Sequence, residues 1–430
     1  MAVNVGGSHR GTGERVRKYL NVLMCLAVVG MGVGGWGLWT AIDERLDRAT
    51  SREKITKACD GLVDPDQVLG LNGGTARARP GSEPNDSMFD LDNPNALATM
   101  PTECVIYRVA DSDRTYGHFL LSVWPTPSDE FAQIVSGQDD PFFERTIDRT
   151  GDLTREADTS APHPLGDGRL GVYYDNVVLV KAVCSDKPSG KTSITAMTVA
   201  RYHGTAQVTD ADRHTLAELA RTAAERAAAK VGCETTLPAL PAELPTASSA
   251  LVHAESAKGS CGWYADFIAR KGRGRLPDRA LTAPVASHSP EESCLLAVSD
   301  DGVRDIWSGL TSKERGRGSL QTVLGSSPWW LRAESYFGDE AGEVKAKGIG
   351  REQTPIDPTR AGFSDDANVW WAVSTCDGQP AVHALSVQYR YGKHIRQHLQ
   401  PLFRTYVTDV TARRHCTDLR FPSDSTFREN

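Results

Sequence analysis

The sequence predicts an α+β protein in which an N-terminal transmembrane helix is followed by two tandem disulfide-stapled modules, each an antiparallel sheet with packing helices. Three observations carry that prediction. Residues 19–42 hold no charged side chain. Eight of the nine cysteines lie beyond that stretch and fall into two sets of four. In each set, alternating strand patterns surround the third cysteine and lead into a helical pattern that closes on the fourth. At 430 residues the chain exceeds the roughly 250–300 that one core supports, so division is expected. Its 40% hydrophobic and 24% charged composition argues against wholesale disorder. A formal charge of −7 argues against a nucleic-acid binder, which would normally carry a basic excess.

Taken from the N-terminus, residues 19–42 are apolar apart from Asn21 and Thr40, with Tyr19 at one end and Trp36 and Trp39 near the other. A helix needs about 20 such residues to cross the hydrocarbon layer. The run is longer than a signal peptide's apolar region and ends without a small-x-small cleavage site. The expected arrangement is a cytoplasmic tail (1–18), a single span (19–42) and a juxtamembrane segment (43–58) leading to the outside. Arg10, Arg15, Arg17 and Lys18 precede the span and Arg45, Arg48, Arg52 and Lys54 follow it, so charge decides the orientation weakly. The cysteines decide it, because disulfides persist in oxidising compartments. Gly30 and Gly34 form a G-x-x-x-G face that would let two spans pack as a homodimer.

The outer cysteines are Cys59, Cys104, Cys184 and Cys233, then Cys261, Cys294, Cys376 and Cys416. Around the third of each set, Asn176-Val177-Val178-Leu179-Val180 stands opposite Asn368-Val369-Trp370-Trp371-Ala372, and Pro188 opposite Pro380. Before the fourth, Leu216, Leu219, Arg221 and Thr222 align without a gap on Leu399, Leu402, Arg404 and Thr405. Landmarks in the same order read as a duplication, with module 1 at 59–233, a linker at 234–260, module 2 at 261–422 and a tail at 423–430. Each module reads as an opening segment, a hairpin, a variable middle, a second hairpin and a closing helix. Eight cysteines allow 105 pairings. The repeat narrows them, since pairing should be the same in each module and closed within it; first-to-second with third-to-fourth, the expected scheme, gives Cys59–Cys104, Cys184–Cys233, Cys261–Cys294 and Cys376–Cys416. The linker's proline-spaced stretch, Leu237 to Pro245, reads as a semi-rigid spacer. The polar tracts 72–101 and 137–168 read as mobile loops.

Chemistry is sparse. The sequence holds no H-E-x-x-H, no G-x-S-x-G and no P-loop, and without a C-x-x-C pair it suggests no zinc site; no cofactor is implied. Asp210, Asp212 and His214 form the densest titratable cluster, but their place before a helix favours capping. Asp111, Asp113, Asp300 and Asp301 fit turns. His163, His253 and His288 read as solvated. Module 2 carries two basic runs, 270–275 and 313–318, suited to an anionic envelope surface. Trp329, Trp330, Trp370 and Trp371 are candidate binding aromatics. Adjacent tryptophans in a strand face opposite sides, and core packing is the simpler reading.

The pattern resembles extracytoplasmic proteins and lipoproteins of unknown function from high-GC actinobacteria. It does so through Cys59-Asp60-Gly61-Leu62 near the start of module 1, a second cysteine opening a strand, and a closing amphipathic helix. The resemblance implies a cell-envelope location and no established reaction. Together these readings predict a membrane-anchored envelope protein whose paired modules bind or scaffold an envelope protein or polymer. The alternative is a hydrolase acting on an envelope polymer.

Overall fold

The computed structural model describes every residue except 1–10, 82–101, 111–114, 127–131, 144–150, 185–192, 202–207, 317, 326–327, 351, 429 and 430. Within 11–42, side chains are described only at positions 19, 21–24, 26, 39, 41 and 42. The first half contains α1 (Gly11–Ala58), α2 (Pro65–Gly70), β1 (Ala78–Pro80), β2 (Thr102–Val109), β3 (Thr115–Thr126) and β4 (Ile134–Val135). It continues with β5 (His163–Pro164), β6 (Gly171–Tyr173), β7 (Val177–Val183), β8 (Ser193–Ala200) and α3 (Asp210–Lys230). The second half opens with β9 (Val252–His253), α4 (Gly262–Lys271), β10 (Arg279–Leu281), β11 (Glu291–Ala297), α5 (Asp300–Gly309), α6 (Ser312–Arg315) and α7 (Leu320–Gly325). Then come β12 (Trp330–Phe337), β13 (Lys345–Lys347), β14 (Gln353–Pro355), β15 (Gly362–Ser364), β16 (Val369–Cys376), β17 (Gln379–Val387), α8 (Tyr389–Arg413) and β18 (Thr417–Arg420).

The architecture is α+β with two antiparallel sheets. The first runs β1-β2-β3-β8-β7-β6-β5 and the second β15-β16-β17-β12-β11-β10-β9, with β18 beside β16. Six strands of each occur in equivalent order: β1-β2-β3-β8-β7-β6 and β10-β11-β12-β17-β16-β15. The duplicated cysteine landmarks therefore sit on a duplicated topology. Disulfides join Cys59–Cys104, Cys184–Cys233, Cys261–Cys294 and Cys376–Cys416, first to second and third to fourth in each half. Four such bonds suit an extracytoplasmic or secreted protein.

Each closing helix covers one face of its sheet. On α3, Leu216, Leu219, Ala220, Ala223, Ala224 and Ala227 recur at helical spacing and are buried against Val178, Val180, Ala182, Ala196 and Ala200. On α8, Ile395, Leu399, Leu402, Phe403, Tyr406 and Val410 do the same against Leu331, Ala333, Trp370 and Leu385. The β16–β17 turn is Asp377-Gly378. Both residues take positive φ, 52° and 72°, which a two-residue hairpin with the native twist requires.

The structure corrects several expectations. The transmembrane helix is the first: among the described residues, no helix is long and apolar enough to cross a membrane. Residues 19–42 are the middle of α1, a single 48-residue helix. Five glycines, Asn21 and Thr40 dilute the apolar run, and charged turns continue the helix on both sides. Its last turns bury Ser51, Ile55 and Ala58 in module 1, so the supposed juxtamembrane segment is part of that module's core. The described side chains Tyr19, Leu23, Met24, Trp39 and Leu46 are exposed. Gly30 and Gly34 lie on α1 where side chains fall outside the described residues.

The linker is not a free spacer. Leu237, Leu244 and Ala247 are buried in the first core, and Arg221 donates to the carbonyls of Leu237 and Pro238. Nor is the second polar tract a mobile loop in its described parts. Phe142, Ala157 and Ala161 pack with Leu251, Leu281, Leu295 and Trp330 of the second half. Just before that tract, β4 pairs parallel to β13 of module 2, forming with β14 a small sheet shared by both halves. Of the first polar tract, 82–101 lies outside the described residues. After β11 the chain enters α5 rather than a hairpin, so Asp300 and Asp301 occupy a first helical turn, capped by Ser299. Asp111 and Asp113 are outside the described residues.

Candidate polar cavity between the modules

Alternation along two paired strands builds one wall of a cavity. The register sets Glu291 opposite Tyr336, Ser293 opposite Glu334, and Leu295 opposite Arg332, so all six share the sheet face turned away from α8. Module 1 supplies the facing wall through Tyr174, which follows β6, the segment 159–162, and Gln133 with Ile134 at β4. The cavity is partly open, its volume is about 180 Å³, and its lining is mostly polar. A neighbouring space of about 40 Å³ shares Gln133 and Glu291 and reaches Lys181, Glu340, Trp124 and Thr126.

Tyr174 Oη donates to Glu291 Oε1 at 2.5 Å across the module boundary. Burial raises the Glu291 carboxyl to about 7, reinforced by the charges of Glu334 and Glu340 and opposed by the Tyr174 hydrogen bond. Burial also raises Glu334, against the pull of the Arg332 guanidinium 3.8 Å away. Tyr174 and Tyr336 are pushed well above the usual phenol range, by burial first and by these carboxylates second. Both phenols therefore keep their protons at neutral pH. Beside the cavity, Lys181 Nζ lies 3.0 Å from Asp339 and 2.9 Å from Glu340. Burial alone would lower that ammonium, but the two carboxylates outweigh it and hold its pKa above the ordinary value.

The cluster Asp210, Asp212 and His214 does not converge on a cleft. Thr209 caps α3 by accepting from the Asp212 amide, Asp210 pairs with the buried Arg213 at 2.7 Å, and His214 lies 3.5 Å from Glu218. Trp329, Trp330 and Trp370 are at most 3% exposed and offer no aromatic rim. Trp370 stacks between Phe363 and Phe427, while Trp371 packs on the opposite face and donates its indole N–H to Arg360. Both sides of that strand are covered. His163 is buried against Tyr173, not solvated, and burial, with Arg213, lowers it to about 4. His253 and His288 are exposed.

Sequence reasoning missed a serine–histidine arrangement. His383 Nδ1 lies 2.8 Å from Ser335 Oγ, its Nε2 lies 2.9 Å from Ser374 Oγ, and Tyr406 Oη is 2.6 Å from Ser335 Oγ. The geometry suggests an activated nucleophile, but His383 and Ser335 are 0% exposed. Burial, with the Arg414 charge, lowers the imidazole to about 3, too weak a base for that role near neutral pH. This network fastens α8 to its sheet. The cavity residues were missed for another reason: Glu291, Glu334 and Tyr174 form no linear motif and meet only because two modules dock. Among the described residues, no group of three or more His, Cys, Asp or Glu could hold a metal ion.

No family, characterised protein or solved structure matches this chain.

Proposed function

We propose that the chain is an extracytoplasmic binding protein of the cell envelope, whose two docked modules hold a small polar ligand between them. The observation that carries this reading is the cavity walled by both modules. In it Glu291 has a tyrosine hydroxyl rather than a cation as its partner. A carboxyl in that state favours a hydrogen-bonding or amine-bearing guest. The 180 Å³ volume equals about six water molecules at liquid density, so the part of a guest held inside the cavity is small.

The carboxyls weigh against an envelope-polymer hydrolase. Burial raises both carboxyls, so the pair lacks the contrast between one raised acid and one carboxylate held low that glycoside hydrolysis uses. The test is thermal-shift titration with ethanolamine, putrescine and glycerol, on wild type and on Glu291→Gln and Ser293→Phe. At least one probe should raise the wild-type melting temperature, and the effect should vanish when Ser293→Phe fills the space. No shift with any probe, or a shift as large as wild type's in both variants, would remove the reading.

A further inference from the structure

Two basic runs separated by some forty residues converge on one face of module 2. Arg275, at the end of the first run, bonds Glu314 in the second at 2.6 Å. The start of α8 joins them, because Tyr391 donates to the Arg275 carbonyl at 2.7 Å. Around this contact Arg270, Lys271, Lys313 and Lys393 are exposed and Arg273 is half-buried. Glu314 neutralises one of these cations, while Arg315 turns back over Trp307 and donates to the Ser308 carbonyl. Neighbouring imidazoles register the field. His394 is lowered to about 4 by burial, then by Lys393 and Arg275; His398 is lowered by burial and then by Arg275. Such a concentration of positive charge stands against a chain of net charge −7.

We infer that this face is a docking surface for a linear phosphate-bearing polyanion. Three features select that partner. The cations are spread over α4, the following loop, α6 and the start of α8, and neither of the two cavities described above includes them; that suits a repeating anion better than one small guest. Arginine dominates the first run, and its planar fork matches phosphate oxygens. A membrane face would also present apolar side chains for insertion. Here Tyr389, with Arg390 over its ring, is the large exposed hydrophobic residue near the patch among those described.

The experiment measures binding of the full chain to inorganic polyphosphate and to phosphatidylglycerol vesicles between 50 and 200 mM salt. About four phosphate contacts on a flexible polyanion predict a roughly 50-fold loss of polyphosphate affinity over that range. The triple variant Arg270→Gln, Lys271→Gln, Lys313→Gln should bind at least about tenfold more weakly, with a correspondingly shallower salt dependence. The control variant Arg45→Gln, Lys54→Gln, Lys57→Gln on α1 should bind as wild type does. Absence of binding at 50 mM salt, equal weakening by the control, or preference for the vesicles would each overturn the inference.

Discussion

The Tyr174–Glu291 hydrogen bond joins two side chains that lie 117 positions apart, and its titration has a defined sign. Glu291 ionises at about 7 in the folded protein against a reference value of 4.5. The folded state therefore binds the extra proton, and stability from this group falls as pH rises from about 4.5 to 7. The difference is worth at most about 3 kcal/mol. Urea unfolding at pH 5 and pH 8 should show wild type losing stability relative to Glu291→Gln across that window; parallel curves would refute the assignment. His163, His383 and His394 act in the opposite sense. Their folded values are depressed to between about 3 and 4, so their stabilising contribution is present above pH 6.5 and is lost as pH falls toward those values. In the Ser335–His383–Tyr406 network, Ser335→Ala leaves two buried polar groups short of a partner. It should cost about 1–3 kcal/mol of stability, measured by urea unfolding, without altering ligand response.

At the scale of elements, the closing helices depend on cysteines as well as on apolar faces. Cys184–Cys233 closes a 49-residue separation and ties the segment after α3 to the end of β7. Chain-entropy arguments put such a bridge at about 4 kcal/mol. Cys184→Ala with Cys233→Ala should lower unfolding free energy by that order, while Leu219→Ala on α3 should cost about 3–5 kcal/mol through an unfilled cavity. Much of this was legible beforehand. Leu216 and Leu219 opposite Leu399 and Leu402 marked equivalent helices, and the pairs in the structure are those a repeating pattern suggests. The α5–α7 insertion between β11 and β12 was not legible as a departure from the first module. Ser299-Asp300-Asp301-Gly302 satisfies a turn and a helix cap equally well until the helix behind it is seen to bury Val303 and Ile306.

At the scale of the molecule, the modules are docked rather than strung. Lys181 on β7 reaches Asp339 and Glu340, and Arg279 on β10 reaches Asp152 at 2.8 Å. Near this boundary a Cβ on Gly168 would lie 2.3 Å from the Ser289 nitrogen, so only glycine allows the chains to approach so closely. Lys181→Met would leave Glu340 buried without its cation, at a cost of about 3–5 kcal/mol to docking. Hydrogen exchange at β4 and β13 should accelerate in that variant while α3 and α8 stay protected. Uniform protection would show that the ion pair does not hold the modules together.

The sequence by itself determined the α+β class, the two sets of four cysteines and the amphipathic closing helices. These depend on composition, spacing and periodicity, which are local quantities. It placed a membrane span at 19–42, which the structure does not support: among the described residues no helix is long and apolar enough to cross a membrane. Only the tertiary structure decided that the linker and the second polar tract are packed. It also decided that the tryptophans are core and that the polar site lies between modules. Burial of a polar tract, or of Glu291, depends on which surface arrives to cover it, and that surface comes from a part of the chain more than a hundred residues away.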